Sequence, residues 1–286
     1  MCREPTMRIG LVQQHATDDL DDNLRRGLDA VREAASAGAR LVAFAELGLT
    51  PFYPRHEACG APPLALAEPV PGPTTEAFAA LARELGVVVV LNLYEREGSR
   101  AFDSSPVIDA DGRLLGVARM LHIAHMEGFW EQSYYAPGDC GLPVFATAAG
   151  RVGVAICYDR HYPEVMRGLA LRGAELVVIP QAGAVGEWPD GLYEAELRVA
   201  AFQNGYFTAL ANRVGSEPPL EFAGESFVCD PAGRVVARAP AGLDHLLLAD
   251  VDLAQVASSH ARRLFMRDRR PELVPELLGY ADKPRK

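Results

Sequence analysis

Cys157 stands inside Arg-Val-Gly-Val-Ala-Ile-Cys-Tyr-Asp-Arg-His-Tyr-Pro-Glu, residues 151–164. A thiol becomes a nucleophile when its thiolate is favoured and a reacting carbon can reach it. The β-branched run at 152–156 predicts a buried strand that stops at the cysteine. Pro163 and Glu164 predict the first turn of a helix, continued by Val165, Met166, Leu169 and Ala170. In a tight strand-to-helix turn, the positive helix end and free backbone N–H groups would favour a thiolate and hold an oxyanion. The competing reading is a small apolar residue closing a strand, where free cysteines are usually found.

Two carboxylates could serve that thiol. Glu46 ends the apolar run Leu41-Val42-Ala43-Phe44-Ala45, where an ionised group needs a partner unless it reaches water. Glu131 lies among aromatics in Gly128-Phe129-Trp130-Glu131-Gln132-Ser133-Tyr134-Tyr135. Either could be no more than a solvated loop residue. Cys157, Asp159 and His161 offer metal-ligand types at alternate positions, but Pro163 ends the extended chain that would aim them together. No metal site is expected.

The elements that must position these residues follow from periodicity. A strand is predicted at 7–12 after a frayed start at 1–6. A helix opened by Asp18, Asp19, Asp21 and Asp22 runs to about 37, and a second strand covers 41–45. A helix begins at Pro73 and runs to about 85, and one strand is predicted over 87–94. Ser104 opens a hairpin with strands at 106–108 and 114–120 about an Asp111-Gly112 turn. Residues 121–141 form a long loop without periodicity, the kind that is usually functional. Strands at 176–179 and 206–211 flank a helix at 190–204, a hairpin covers 227–237, and a last strand covers 246–251. This order suggests mixed sheets covered by helices, in one domain spanning 1–286.

Composition limits the partners. The 286 residues are 49% hydrophobic and carry a net charge of −10. No basic tract appears, which disfavours nucleic acid. No apolar run approaches a membrane span, and the N-terminus lacks a signal-peptide core. The five cysteines show no paired or CxxC spacing, as expected of a cytoplasmic protein. The only lysines are Lys283 and Lys286.

In order and texture the chain resembles the nitrilase, or carbon–nitrogen hydrolase, superfamily over residues 7–275. The family's cysteine segment is similar to Ile156-Cys157-Tyr158-Asp159 with Tyr162-Pro163-Glu164, preceded in the family's manner by a strand-end Glu like Glu46. Gly173-Ala174-Glu175 and Tyr134-Tyr135-Ala136-Pro137-Gly138-Asp139 also match. Pro71-Gly72-Pro73-Thr74-Thr75, Arg160-His161 and Asn212-Arg213-Val214-Gly215-Ser216-Glu217 resemble the β-ureidopropionase and N-carbamoylputrescine amidase branch. The resemblance implies an α/β fold, a four-layer αββα sandwich, and acyl transfer at a small N-carbamoyl compound or amide without a cofactor. Cys157 would attack, Glu46 would move the proton, Glu131 would orient the site, and the Tyr158 N–H would help hold the oxyanion. It also implies a homo-oligomer, with the tail at 262–286 contributing to its packing.

One position departs. The family's lysine belongs to a pattern like Arg-Lys-x-His-Ile, which here reads Arg119-Met120-Leu121-His122-Ile123. Met120 therefore takes the lysine's place. Arg119 should face the other way, since strand side chains alternate, whereas His122 shares the face of Met120 and His125 is a looser candidate. Moving a proton from a thiol near 8.5 to a carboxylate near 4.3 costs about 5–6 kcal/mol, a gap the lysine would narrow. Without it, activity by the usual route should be weak or absent. The resemblance further implies that Arg160 pairs with a substrate carboxylate, and that Tyr53, Trp130, Gln181 and Trp188 line the pocket. Each of these could instead be a packing residue. The alternatives to an impaired hydrolase are a pseudoenzyme that keeps the pocket for ligand binding and, less in keeping with the Cys157 context, a papain-like protease using His122 or His125.

Overall fold

The computed structural model describes residues 6–279. Strands are β1 (Met7–Gln13), β2 (Ala39–Phe44), β3 (Val88–Val90), β4 (Leu93–Glu97), β5 (Arg100–Ile108), β6 (Leu114–Arg119), β7 (Val144–Thr147), β8 (Gly150–Val154), β9 (Leu176–Gln181), β10 (Phe207–Asn212), β11 (Val214–Glu217), β12 (Leu220–Ala223), β13 (Phe227–Cys229), β14 (Val235–Arg238) and β15 (His245–Val251). The longer helices are α1 (Leu20–Ser36), α2 (Pro73–Leu85), α3 (Pro163–Leu171) and α4 (Leu192–Asn204).

A seven-stranded sheet runs β15-β1-β2-β3-β5-β4, with β6 also paired to β5. A six-stranded sheet runs β14-β13-β10-β9-β8-β7. Each is mixed: β1, β2 and β3 are parallel neighbours, as are β8, β9 and β10, while the outer strands pair antiparallel. Strand side chains alternate, so each sheet has two apolar faces to cover. Ile9, Leu11, Leu41, Ala43 and Val90 meet Val152, Val154, Leu176, Val178 and Ala209 in the central core between the sheets. On the outer face of the first sheet, Val12, Val42, Phe44 and Val89 bury against Val31, Ala34, Phe78 and Leu81 of α1 and α2. On the second, Val177, Ile179 and Leu210 bury against Val165, Met166, Leu169 and Leu197 of α3 and α4. The result is the αββα sandwich the sequence pointed to.

Local signals held where the chemistry was specific. Asp19 caps α1, accepting from the Asp22 N–H at 3.0 Å, and Pro163 opens α3. The strand expected over 87–94 is instead broken at Leu91-Asn92. Its second half, β4, turns through Gly98, at φ 62°, into the antiparallel β5. The strand at 152–156 is found as β8, whereas its partner β7 and the β11–β12 pair were not read, because those strands are short and only partly apolar. The tail holds short turns at Pro271–Leu273 and Val274–Leu277. The start at 1–5 and the end at 280–286, including Lys283 and Lys286, lie outside the described residues.

Candidate active site

Parallel strands leave backbone groups and loops at their carboxyl ends, where α/β proteins gather their chemistry. Here two facing sheets present such ends side by side. β2 delivers Glu46 two residues past its end, and β8 delivers Cys157 at the start of a 3-10 turn, Cys157–His161. Glu131 comes from the long loop, at the head of a 3-10 turn, Glu131–Ser133. A sulfur or carboxylate oxygen from each of Glu46, Glu131 and Cys157 lies within 4.8 Å of the others. Among the described residues this is the one grouping of ligand-type side chains close enough to hold an ion. Asp159 and His161, the other ligand types weighed beside Cys157, are engaged elsewhere.

Each group is fixed by its surroundings. Cys157 has φ 41°, a left-handed conformation that costs a non-glycine residue about 1–2 kcal/mol and recurs at functional turns. The Gln181 side-chain N–H2, at the end of β9, donates to its sulfur at 3.3 Å. The turn carrying Glu46 is gripped from both sheets. The Asn92 carbonyl accepts from the Leu47 N–H at 2.8 Å. From the second sheet, Arg213 donates to the carbonyls of Glu46 (3.0 Å), Leu47 and Thr50 (3.0 Å), and is ion-paired with Glu217. Glu131 accepts from the Ala124 N–H at 3.1 Å, which curls its loop inward.

Sequence reasoning missed Asp103 and Tyr135. Asp103, on β5, is fully buried, lies close to the Glu46 carboxyl and accepts from Asn92 at 2.6 Å. Its carbonyl accepts from the Met120 N–H at 2.9 Å, so the two are cross-strand neighbours. An Asp inside Ala101-Phe102-Asp103-Ser104 was the available signal, since a carboxylate in a buried strand needs a reason. The Tyr135 hydroxyl is buried without a partner and feels the charge of Asp103, Glu46 and Glu131.

The electrostatics run against a thiolate. Burial, then the negative charge of Glu131, pushes the Glu46 carboxyl up to about 8. Burial and Asp103 push Glu131 well above the carboxylate range, and burial and Glu46 do the same to Asp103. Burial, Glu46 and Glu131 push the Cys157 thiol well up, opposed by Arg160. This corrects the expectation that the turn would favour the thiolate: removal from water and two acid neighbours outweigh the helix end.

Met120 is fully buried in the same apolar cluster as Cys157. Arg119 faces away as expected, ion-paired with Glu95, Glu97 and Asp139. Arg160 is buried; it donates to the Cys157 carbonyl (3.0 Å) and the Gln181 side-chain oxygen (2.8 Å), lies 3.4 Å from Glu196 and stacks on Tyr193. His122 is held by Asp159 at 2.8 Å and stacked on Tyr162. Tyr158 packs edge-on against His161 and Tyr162. Trp130 meets His125 and its N–H reaches the Pro54 carbonyl beside Tyr53, while Trp188 meets His161. These rings contact one another, whereas Gln181 alone of the expected lining residues hydrogen-bonds the sulfur. A groove of about 610 Å³ lies between α3, α4 and the tail; Arg160 and His161 line it but Cys157 does not.

Known proteins are similar to this chain in sequence and fold. The family profile described as carbon-nitrogen hydrolase matches residues 8–261. N-carbamoylputrescine amidase of Solanum lycopersicum is 33% identical, covering 94% of each chain. The crystal structure of a carbon-nitrogen hydrolase from Helicobacter pylori G27 superposes with a TM-score of 0.86 at 29% identity, over 96% of this chain and 98% of that one. A mutant amidase from Nesterenkonia sp. AN1 superposes with a TM-score of 0.80 at 28% identity, over 96% and 97%. That structure carries the acetamide moiety of fluoroacetamide on its active-site cysteine. With its profile match, its sandwich fold and the cysteine and glutamates at the sheet ends, this chain belongs to the carbon–nitrogen hydrolase family.

Proposed function

We propose that Cys157 is the nucleophile for hydrolysis of a C–N bond in a small N-carbamoyl compound or amide, and that Met120 makes the reaction slow. The observation that carries this reading is the convergence of Cys157, Glu46 and Glu131 within 4.8 Å at the carboxyl ends of two facing sheets. Relatives named for N-carbamoyl amidase activity support the substrate class. In the first half-reaction the thiol proton passes to Glu46 as sulfur bonds the carbonyl carbon. The C–N bond then breaks and the amine leaves with that proton, giving a thioester. Water attacks the thioester carbon, the C–S bond breaks, and the thiol is restored.

Taking the proton from the thiol, and later from the attacking water, needs an ionised Glu46. At neutral pH a carboxyl pushed up to about 8 holds its proton for most of the time. A lysine ammonium among these acids would lower them and donate to the oxyanion, whereas a thioether does neither. Loss of one oxyanion donor alone costs on the order of a hundredfold to a thousandfold in turnover. The test is ammonia release from a panel of N-carbamoyl compounds and amides. The Met120→Lys protein should exceed this one by at least about a hundredfold. Equal rates would overturn the role given to Met120. No release by either protein, with Cys157 inert to alkylation, would favour a pocket kept for binding alone.

A further inference from the structure

We infer that the group held against Cys157 is a planar amidinium or guanidinium cation, whose own charge does what the family's lysine would do beside Met120. The inference rests on Cys157 being the nucleophile and adds the class of substrate.

The observation is a set of polar atoms buried without any partner. Both Glu46 carboxyl oxygens, Glu131 Oε1, Asp103 Oδ2 and the Tyr135 hydroxyl are all in this state. The acids are mutually close, since Glu46 and Glu131 share the span with the sulfur and Asp103 lies beside Glu46. Tyr135 is buried near enough to feel the same three carboxyls, and its hydroxyl too has no partner. Buried acids without a partner call for a donor or a cation. The neighbouring cations are placed elsewhere: Arg213 on Glu217 and backbone carbonyls and Arg119 on Glu95 and Glu97, while Arg160 bonds the Cys157 carbonyl and Gln181 through Nη1 and pairs with Glu196, its Nε and Nη2 otherwise unbonded. Among the described residues there is no lysine.

The choice between a neutral and a charged ligand follows from lone pairs. A neutral amide or ureido group presents a carbonyl oxygen, an acceptor, to a cluster whose unpartnered atoms, once the acids are ionised for reaction, are mostly acceptors. Replacing that oxygen by NH2+ turns the same planar group into a donor on every edge. Its N–H groups can meet flanking carboxylates at about 2.7–2.9 Å. Its carbon can then sit about 3–3.5 Å from the sulfur, the separation from which attack proceeds. A carboxylate pair within 4.8 Å of the nucleophile matches a forked cation of this size.

The chemistry balances with water as the co-reactant. The thiol proton moves to Glu46 as the S–C bond forms. One C–N bond breaks and ammonia leaves with that proton, leaving an S-linked thioimidate or isothiouronium cation. Water then adds to the carbon, the C–S bond breaks, and the thiol returns. An amidinium yields an amide plus ammonium, and a guanidinium yields a ureido compound plus ammonium. No oxidant or reductant is needed.

The experiment compares 2-chloroacetamidine with 2-chloroacetamide, alkylating agents of nearly equal size that differ in charge at the head group. Alkylation of Cys157 in the unmodified protein is followed by peptide mass mapping, with the exposed Cys59 and Cys140 as internal references for intrinsic reactivity. The cationic reagent should label Cys157 at least tenfold faster after normalisation, and Met120→Lys should reverse the preference. Equal normalised rates, or preference for the neutral reagent in the unmodified protein, would overturn the inference while leaving Cys157 as nucleophile. If neither reagent labels Cys157 while Cys59 and Cys140 react, the nucleophile itself is refuted, and this inference falls with it.

Discussion

Stability should fall as pH rises through neutrality, and Glu46→Gln should flatten that fall. Glu46 is fully buried and its carboxyl is raised from 4.5 to about 8. Between those values the folded chain holds a proton that the unfolded chain releases, so unfolding is favoured by each step upward in pH. The contribution is fully present below 4.5 and is lost by about pH 8. At ~1.4 kcal/mol per pH unit the loss is on the order of 5 kcal/mol, a large share of the 5–15 kcal/mol typical of a folded domain. Glu131 and Asp103, both raised by burial and by acidic neighbours, act in the same direction. Urea unfolding at pH 5, 6, 7 and 8 reads the effect directly. With a slope near 3 kcal/mol/M the midpoint should drop by more than about 1 M. Glu46→Gln, which keeps the shape and removes the titrating proton, should lose much of that dependence. A midpoint that stays level or climbs from pH 5 to 8, or an unchanged profile in the variant, would refute the protonated-acid account of the site.

Other expectations follow from the same geometry. Arg213→Ala leaves Glu217 to Arg55 and the Phe52 N–H alone and releases the carbonyls of Glu46 and Leu47, so denaturation should show a loss of about 3 kcal/mol. Arg160→Ala separates two roles for that side chain. If it pairs with a substrate carboxylate, KM for N-carbamoyl-β-alanine should rise while that for a neutral analogue stays. If its bonds to the Cys157 carbonyl and Gln181 matter more, both substrates should lose kcat alike.

Much of the site was legible because its residues sit where backbone signals are strong. Cys157 follows a β-branched strand and precedes a proline-opened helix, and Glu46 interrupts an apolar run, so both stood out as strand-end groups. The partnership between them was not readable from periodicity, since it depends on how two sheets dock; it came from the resemblance. Asp103 and Tyr135 were passed over because a strand's alternation shows which face a residue takes but not what occupies the space opposite. The break at Leu91-Asn92 was hidden inside an apolar run, although Asn92 proved to join the Leu47 N–H to Asp103. The thiol's shift was misjudged for a related reason: a helix end is visible in sequence, whereas the depth of burial and the neighbours across the core are not.

The grip of Arg213 on the Glu46 turn has a consequence for how the protein comes into being. Cys157 and Glu46 hang from separate layers, and the strap between them springs from the later half of the chain. A nascent chain that has completed only its first layer therefore holds Glu46 without Cys157 or the strap. Two fragments cut between the layers would each carry one half of the cluster, and it would form only on their reunion.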